Sequence, residues 1–180
     1  MGKKKRLKLE EEPLKLDLGC GTRTRDGFQG VDVLNFGQRW KADLRERWPW
    51  EDGSVVEAHA SHFVEHLHAE ERIHFVNELY RVLAPGASCQ LITPHWANCR
   101  AYGDLTHRWP PVSEFWFYYL SKEWREKEAP HNTLYSCTFN CTWGYTVRGD
   151  LAARNQEYQQ FALSNHKEAA QDLVATLTKA

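Results

Sequence analysis

Between residues 14 and 94 the apolar positions come in short blocks, each closed by glycine, proline or an acidic residue. Leu14, Leu16 and Leu18 run into Gly19-Cys20-Gly21, and Gly30-Val31-Asp32-Val33 is a second block carrying an acid near its end. Such blocks predict buried strands of a parallel sheet, with a ligand loop at their carboxyl ends. Trp40 to Leu44 is a shorter third block that predicts a strand ending at Asp43. Trp48 to Ser54 is turn material punctuated by Pro49 and Asp52-Gly53, and Val55 to Ala60 predicts a fourth strand. From His68 to Leu83 the period changes: Ile73, Val76, Leu79, Tyr80 and Leu83 recur at three and four residues, an amphipathic helix that Pro85-Gly86 ends. Ser88 to Thr93, stopped by Pro94, predicts a fifth strand. This order belongs to an α/β fold that gathers its ligands along one edge of the sheet.

Past residue 95 the pattern is less regular. Residues 96–131 are crowded with aromatics, Trp96, Trp109, Trp116 and Trp124 among them, out of eight tryptophans in the chain. Pro110-Pro111 suits the start of a helix expected over Glu114 to Glu126. Tyr135 to Val147 is rich in strand formers. Gln156 to Leu163 is expected to return as a last antiparallel strand, and His166 to Lys179, with Ala and Leu at helical spacing, to close the chain as a helix.

At 180 residues the chain has the interior for one sheet core, so residues 13–180 are expected to form a single domain behind a basic-then-acidic tail at 1–12. The net charge of −1 gives no whole-molecule field toward nucleic acid. No apolar stretch approaches the roughly 20 residues a membrane span needs, and no signal peptide is visible, so a cytoplasmic setting is expected. The five cysteines are odd in number and scattered, which points away from a disulfide framework and toward a reducing compartment. His95, Cys99, His107, Cys137 and Cys141 lack a Cys-x-x-Cys pair, so no metal is expected.

The glycine loop carries the chemistry. Glycine lets the backbone turn with positive φ and lie against a ligand, and Asp32 stands where two carboxylate oxygens could accept from a ribose diol. A nicotinamide-binding fingerprint would need a third glycine where Thr24 stands, and the nine residues between Gly21 and Val31 leave no room for its helix. The segment Asp17-Leu18-Gly19-Cys20-Gly21, with a following strand ending in Asp32, instead resembles the first two motifs of class I S-adenosylmethionine-dependent methyltransferases. Asp52-Gly53-Ser54 leading to His62-Phe63-Val64-Glu65-His66-Leu67 is similar to a subgroup in which a short loop replaces the first helix. Arg81-Val82-Leu83-Ala84-Pro85-Gly86 is similar to that family's turn before the fifth strand, although Val56, Ala84 and Ala87 depart from its usual residues.

The resemblance implies a Rossmann-like fold: a mostly parallel seven-stranded sheet with an antiparallel last strand in a three-layer α-β-α arrangement. It also implies S-adenosylmethionine as cofactor. Asp17, Gly19, Cys20 and Gly21 would line its methionine end, Asp32 would bind the ribose, and Val33 would pack on the adenine. Asp43 and Leu44 would meet the adenine edge, and Ser61 and His62 would close the pocket. Methyl transfer needs alignment and exclusion of water first, and a general base only when the nucleophile carries a proton. His107, His95 and His62 are the candidate bases, with Asp104 close enough in sequence to orient His107, because imidazole takes up protons near neutrality. Glu65-His66 reads as a cap and packing pair at the mouth of the long helix. Within the aromatic insertion at about 96–131, residues 96–124 are expected to form a mobile lid over the acceptor. No Asn/Asp-Pro-Pro-Tyr/Phe follows the fourth strand and no Pro-Cys precedes the long helix. A small or medium acceptor with an oxygen or nitrogen nucleophile is therefore favoured over nucleic acid. The aromatic insertion still leaves a nucleotide base open as acceptor. A non-catalytic cofactor-binding module in a larger assembly is the alternative of another kind.

Overall fold

The computed structural model describes residues 13–180; the expected tail at 1–12 lies outside the described residues. Seven strands form one sheet: β1 (Leu14–Leu18), β2 (Gln29–Asp32), β3 (Trp40–Lys41), β4 (Val55–Ser61), β5 (Leu83–Pro94), β6 (Phe139–Val147) and β7 (Ala170–Lys179). Their order across the sheet is β3-β2-β1-β4-β5-β7-β6. The first five strands run parallel, and β7 is antiparallel to both β5 and β6. This is the α/β, mostly parallel sheet with an antiparallel last strand that the sequence predicted. The order reverses between β1 and β4, so the crevice beyond their carboxyl ends is where an open parallel sheet presents a ligand site.

One face of the sheet makes the core. Leu16, Leu18, Ala58, Ala60, Cys89, Leu91, Leu173, Ala175 and Leu177 point to it and are buried. Helix α1 (Ala69–Val82) covers these strands with Phe75, Val76, Leu79 and Val82, all fully buried. Its start lies beyond Glu65-His66, which occupy a separate 3-10 turn, Val64–His66, so that pair is not the helix cap. Glu71 instead accepts from the His68 backbone N–H at 2.7 Å. The opposite face carries Lys15, Glu57, His59, Ser88, Gln90, Thr176 and Thr178, none of them buried. There the 19–28 link lies over the sheet, with Arg25 donating to Gln90 at 2.8 Å and the Phe28 ring beside His59. The links β1–β2, β2–β3 and β3–β4 hold no helix, so the expected three-layer arrangement is incomplete on this face among the described residues. The first two links are too short for a helix of the usual length, and the third spends its apolar residues Leu44, Trp48 and Trp50 in the core.

Between β5 and β6 lie α2 (Arg100–Gly103), α3 (Glu114–Tyr118) and α4 (Lys122–Glu128). The single helix expected over 114–126 is broken at Ser121, whose hydroxyl caps α4 by accepting from the Trp124 N–H at 3.3 Å. Two sequence expectations are exchanged near the end of the chain. Residues Gln156–Asn165 form helix α6, preceded by the short α5 (Gly149–Ala152), and Ala170–Lys179 form strand β7. Asn155 starts α6 by accepting from the Tyr158 N–H at 2.9 Å, a cap chemistry that overrides the weak strand pattern after it. In β7 the period-two alternation of Leu173, Ala175 and Leu177 with Val174, Thr176 and Thr178 outweighs the helical spacing of the alanines.

Candidate functional site

The carboxyl ends of β1 and β2 are locked to one another through backbone. The Val31 carbonyl accepts from both the Gly19 and Cys20 N–H groups, at 2.9 and 3.1 Å. Gly19 and Gly21 have φ of 69° and 54°, the left-handed region that disfavours a side chain. At Gly19 space forbids one as well: a Cβ would fall 2.3 Å from Cδ2 of Phe63, the residue that turns the chain after β4. At Gly21 a Cβ would point into open space. Asp32 accepts from the Gly21 N–H at 3.0 Å on one oxygen and from the Leu34 N–H at 2.9 Å on the other. Its carboxylate is thus held in place with a lone pair spare on each oxygen.

A cleft beside this loop is lined by Gly19, Asp32, Val33, Asp43, Leu44 and Phe63. The structure therefore gathers five of the sequence-named cofactor residues along one wall. Asp43 lies there with its carboxylate in a bidentate ion pair with Arg45, at 2.9 and 2.7 Å, which holds its pKa below the usual carboxylate range. Cys20 is half-buried, and that burial pushes its thiol pKa up. Asp17 points away from the cleft. It is buried, accepting from the Arg25 N–H at 2.8 Å and from His59 Nδ1 at 2.7 Å, so it braces the loop from beneath.

A second, wider cavity of about 790 Å3 opens at the carboxyl ends of β4 and β5, walled by residues including His62, Glu65, His66, Pro94, Arg100 and His107. His62 follows Ser61 with φ of 53°, a strained conformation for a residue with a side chain. Its Nδ1 lies 3.2 Å from Glu65 Oε1, a hydrogen bond that raises the His62 pKa. His107 keeps only 11% of its side chain exposed. Its Nδ1–H donates to the Ala101 carbonyl at 3.2 Å, so Nε2 carries the lone pair. Asp104 lies 4.0 Å from Nε2 and bonds to Thr106 instead, so the expected orienting role belongs to the Ala101 carbonyl.

His95 sits elsewhere. It is buried, its Nε2 donates to Glu114 at 2.8 Å and its Nδ1 accepts from the Ala97 N–H at 3.1 Å. Both ring nitrogens are consumed inside the protein, which leaves no atom for an acceptor's proton. Of the three candidate histidines, the structure brings two to one cavity.

The aromatic insertion divides. Residues 99–107 border the cavity, whereas Phe117 and Leu120 are fully buried and Phe117 stacks on Trp143 of β6 at 5.5 Å. Phe117 and Leu120 are thus core and not lid, while Phe115 and Tyr118 beside them are exposed. The junction is fixed by Arg72, a buried guanidinium that donates to the carbonyls of Val64 at 2.9 Å, Arg108 at 3.0 Å and Pro110. The Arg108 N–H in turn donates to the Glu65 carbonyl at 2.7 Å. These bonds carry His107 to Glu65 and His66, two residues that sequence reasoning set aside. Their signal was position: both follow the strand that neighbours the one ahead of His107.

All five cysteines are free. Cys137 is buried and its thiol is pushed up to about 11, and Cys141 to about 12, both by burial, while Cys99 is exposed. No helix of the described residues is long and apolar enough to cross a membrane.

No protein-family model and no curated protein matches this chain. Solved structures do. A SAM-dependent methyltransferase from Archaeoglobus fulgidus shares the fold with a TM-score of 0.65 at 18% identity, covering 92% of this chain and 85% of that one. A SAM-dependent methyltransferase from Methanosarcina mazei matches with a TM-score of 0.57 at 15% identity, over 95% and 94% of the two chains. Geranyl diphosphate C-methyltransferase from Streptomyces coelicolor A3(2), solved with S-adenosyl-L-homocysteine, matches with a TM-score of 0.52 at 14% identity, over 94% and 70%. The fold is that of the class I methyltransferases.

Proposed function

We propose that this protein binds S-adenosylmethionine in the β1–β2–β3 cleft and transfers its methyl group to a small or medium acceptor held in the cavity beyond β4 and β5. The observation that carries this reading is the fixed Asp32 carboxylate beside two left-handed glycines, with open space in front of Gly21. Asp32 would take the ribose diol, Gly19, Cys20 and Gly21 the methionine end, Val33 the adenine face, and Asp43 with Leu44 its edge. Ser61 and His62, the latter on the cavity wall, would close the pocket. Asp17 serves by holding the loop rather than by touching the ligand.

The cofactor, when bound, supplies a methyl group on a cationic sulfur, already activated for displacement. The protein's share is then to align a nucleophile and keep water out. His62 and His107 both face the cavity and offer a place for the proton that an O–H or N–H nucleophile gives up. Glu65, buried beside His62, would stabilise the imidazolium so formed. Calorimetric titration tests the reading: S-adenosylhomocysteine should bind and NAD should not. Incubation of a metabolite extract with labelled methyl donor should then yield a labelled product. Binding without any labelled product would favour the non-catalytic module, and labelled nucleic acid would overturn the small acceptor.

A further inference from the structure

We propose that Glu65, His66 and His107 form a site for one divalent transition-metal ion of the manganese-to-zinc series on the wall of the acceptor cavity. One ligand atom from each of the three lies within 4.8 Å of the others, the only such group among the described residues. Three features beyond proximity point to an ion.

The first is the protonation pattern of the imidazoles. His107 donates Nδ1–H to the Ala101 carbonyl. Thr106 Oγ1 gives its proton to Asp104 Oδ1 at 2.7 Å and so accepts from His66 Nδ1–H at 2.9 Å. In the neutral rings the lone pair then lies on Nε2. A ring nitrogen bound to metal is normally backed in this way, with the other nitrogen donating to a carbonyl or, through a relay, to a carboxylate.

The second is Glu65. It is 4% exposed, and among the described residues no lysine or arginine forms an ion pair with its carboxylate. Its bonds to His62 and to Thr93 Oγ1 are both long, at 3.2 Å. A buried carboxylate normally has a paired cation or a metal, and this one has only these two long hydrogen bonds.

The third is the way the site is held. The 3-10 turn places Glu65 and His66 side by side, and the Arg72 and Arg108 bonds fix the His107 segment to that turn. A ligand separation of about 3.4 Å, expected for bonds of about 2.1 Å, requires the three atoms to close in by up to about 1.4 Å. Two imidazoles and one carboxylate suit an ion that accepts nitrogen and oxygen together and leave positions free on the cavity side. That such positions face an acceptor rests on the methyl-transfer reading; the binding of the ion does not. An acceptor oxygen or nitrogen would fill them, and His62 would then be the imidazole left for the proton.

Cobalt(II) is the probe, titrated into chelator-treated, dialysed protein and followed by visible absorbance and calorimetry. One ion per chain should bind with d–d bands of a nitrogen- and oxygen-ligated site, and zinc(II) should displace it. His107→Ala and Glu65→Gln should each weaken binding by 10-fold or more, while the exposed His131→Ala should leave it unchanged. Thr106→Val guards against variants that fail to fold: Thr106 is exposed, yet it backs His66, and its loss should weaken cobalt binding several-fold. No cobalt bands in the wild type, or equal affinity in folded His107→Ala and Thr106→Val, would overturn the site. Asp32→Ala separates the two readings, since it should lose S-adenosylhomocysteine and keep cobalt.

Discussion

At the β1–β2 end of the sheet, the backbone bonds that set the cofactor loop join residues close in sequence, Gly19 and Cys20 to Val31 and Gly21 and Leu34 to Asp32, with Phe63 packed on it from afar. At the β4–β5 end the cavity is drawn from distant segments, with Arg72 tying the Val64 carbonyl to those of Arg108 and Pro110. The first site is a local loop whose geometry its own residues dictate. The second exists only because a buried cation holds two loops together. A local site should fail through backbone strain or a lost ligand contact, and an assembled site through loss of its tie.

Gly19→Ala should be the most damaging change at the local site. The left-handed backbone costs about 1–2 kcal/mol for alanine and the overlap with Phe63 about 1–3 more, so a loss of about 2–5 kcal/mol in stability is expected from denaturant unfolding. Adding Phe63→Ala removes the overlap but not the strain. The double variant should therefore recover part of the loss attributable to overlap, set against the cost of Phe63→Ala alone; no recovery would mean that Phe63 does not set the loop. Asp32→Ala should follow, reducing affinity for S-adenosylhomocysteine by about 2–4 kcal/mol, roughly 30- to 1000-fold, through the loss of hydrogen bonds to a charged acceptor. Unchanged affinity in a folded variant would remove Asp32 from the ribose site.

The contrast also explains what could be read beforehand. The parallel sheet, the glycine loop, Asp32 and the helix over 69–82 were legible because each follows from a local period or a local turn chemistry. The links before β4 hold no helix because two of them are short and the third packs Leu44, Trp48 and Trp50 into the core. Gln156–Asn165 and Ala170–Lys179 were exchanged because spacing alone suits either state for a small, Ala-containing segment, and the Asn155 cap was passed over. Glu65, His66 and His107 could not be joined from sequence, since what joins them is the burial of Arg72 among backbone carbonyls. His95 looked as available as His107 until its two nitrogens were found bonded within the fold.

Arg72→Met tests the assembled site. It leaves the Val64, Arg108 and Pro110 carbonyls without their charged donor, at an expected cost of about 2–3 kcal/mol. The informative result is selective: S-adenosylhomocysteine affinity should stay within twofold of the wild type while methyl transfer falls by 10-fold or more. Equal loss of both would mean that cleft and cavity are one unit.

The smallest effect is expected outside that cavity, where the His95 side of the insertion is pinned through Glu114. Its carboxylate accepts from His95 Nε2 at 2.8 Å, Trp96 Nε1 at 3.0 Å and the Tyr145 hydroxyl at 3.0 Å. Burial opposes ionisation there, but the hydrogen bond from His95 and the others outweigh it and bring the Glu114 pKa down to about 2. In the unfolded chain it returns to the usual glutamate range, about 4.3. A carboxylate with a depressed folded pKa stabilises the fold fully above the unfolded value and loses that contribution as pH falls through the folded one. Between pH 5 and 2, then, the wild type should lose melting temperature faster than Glu114→Gln, whose amide cannot titrate. At pH 7 the variant should melt lower by about 2–4 °C, the shift that roughly 1 kcal/mol makes in a chain of this size. Parallel melting curves across that acid range would show that the pin holds nothing and that the insertion is fixed by the Phe117–Trp143 core alone.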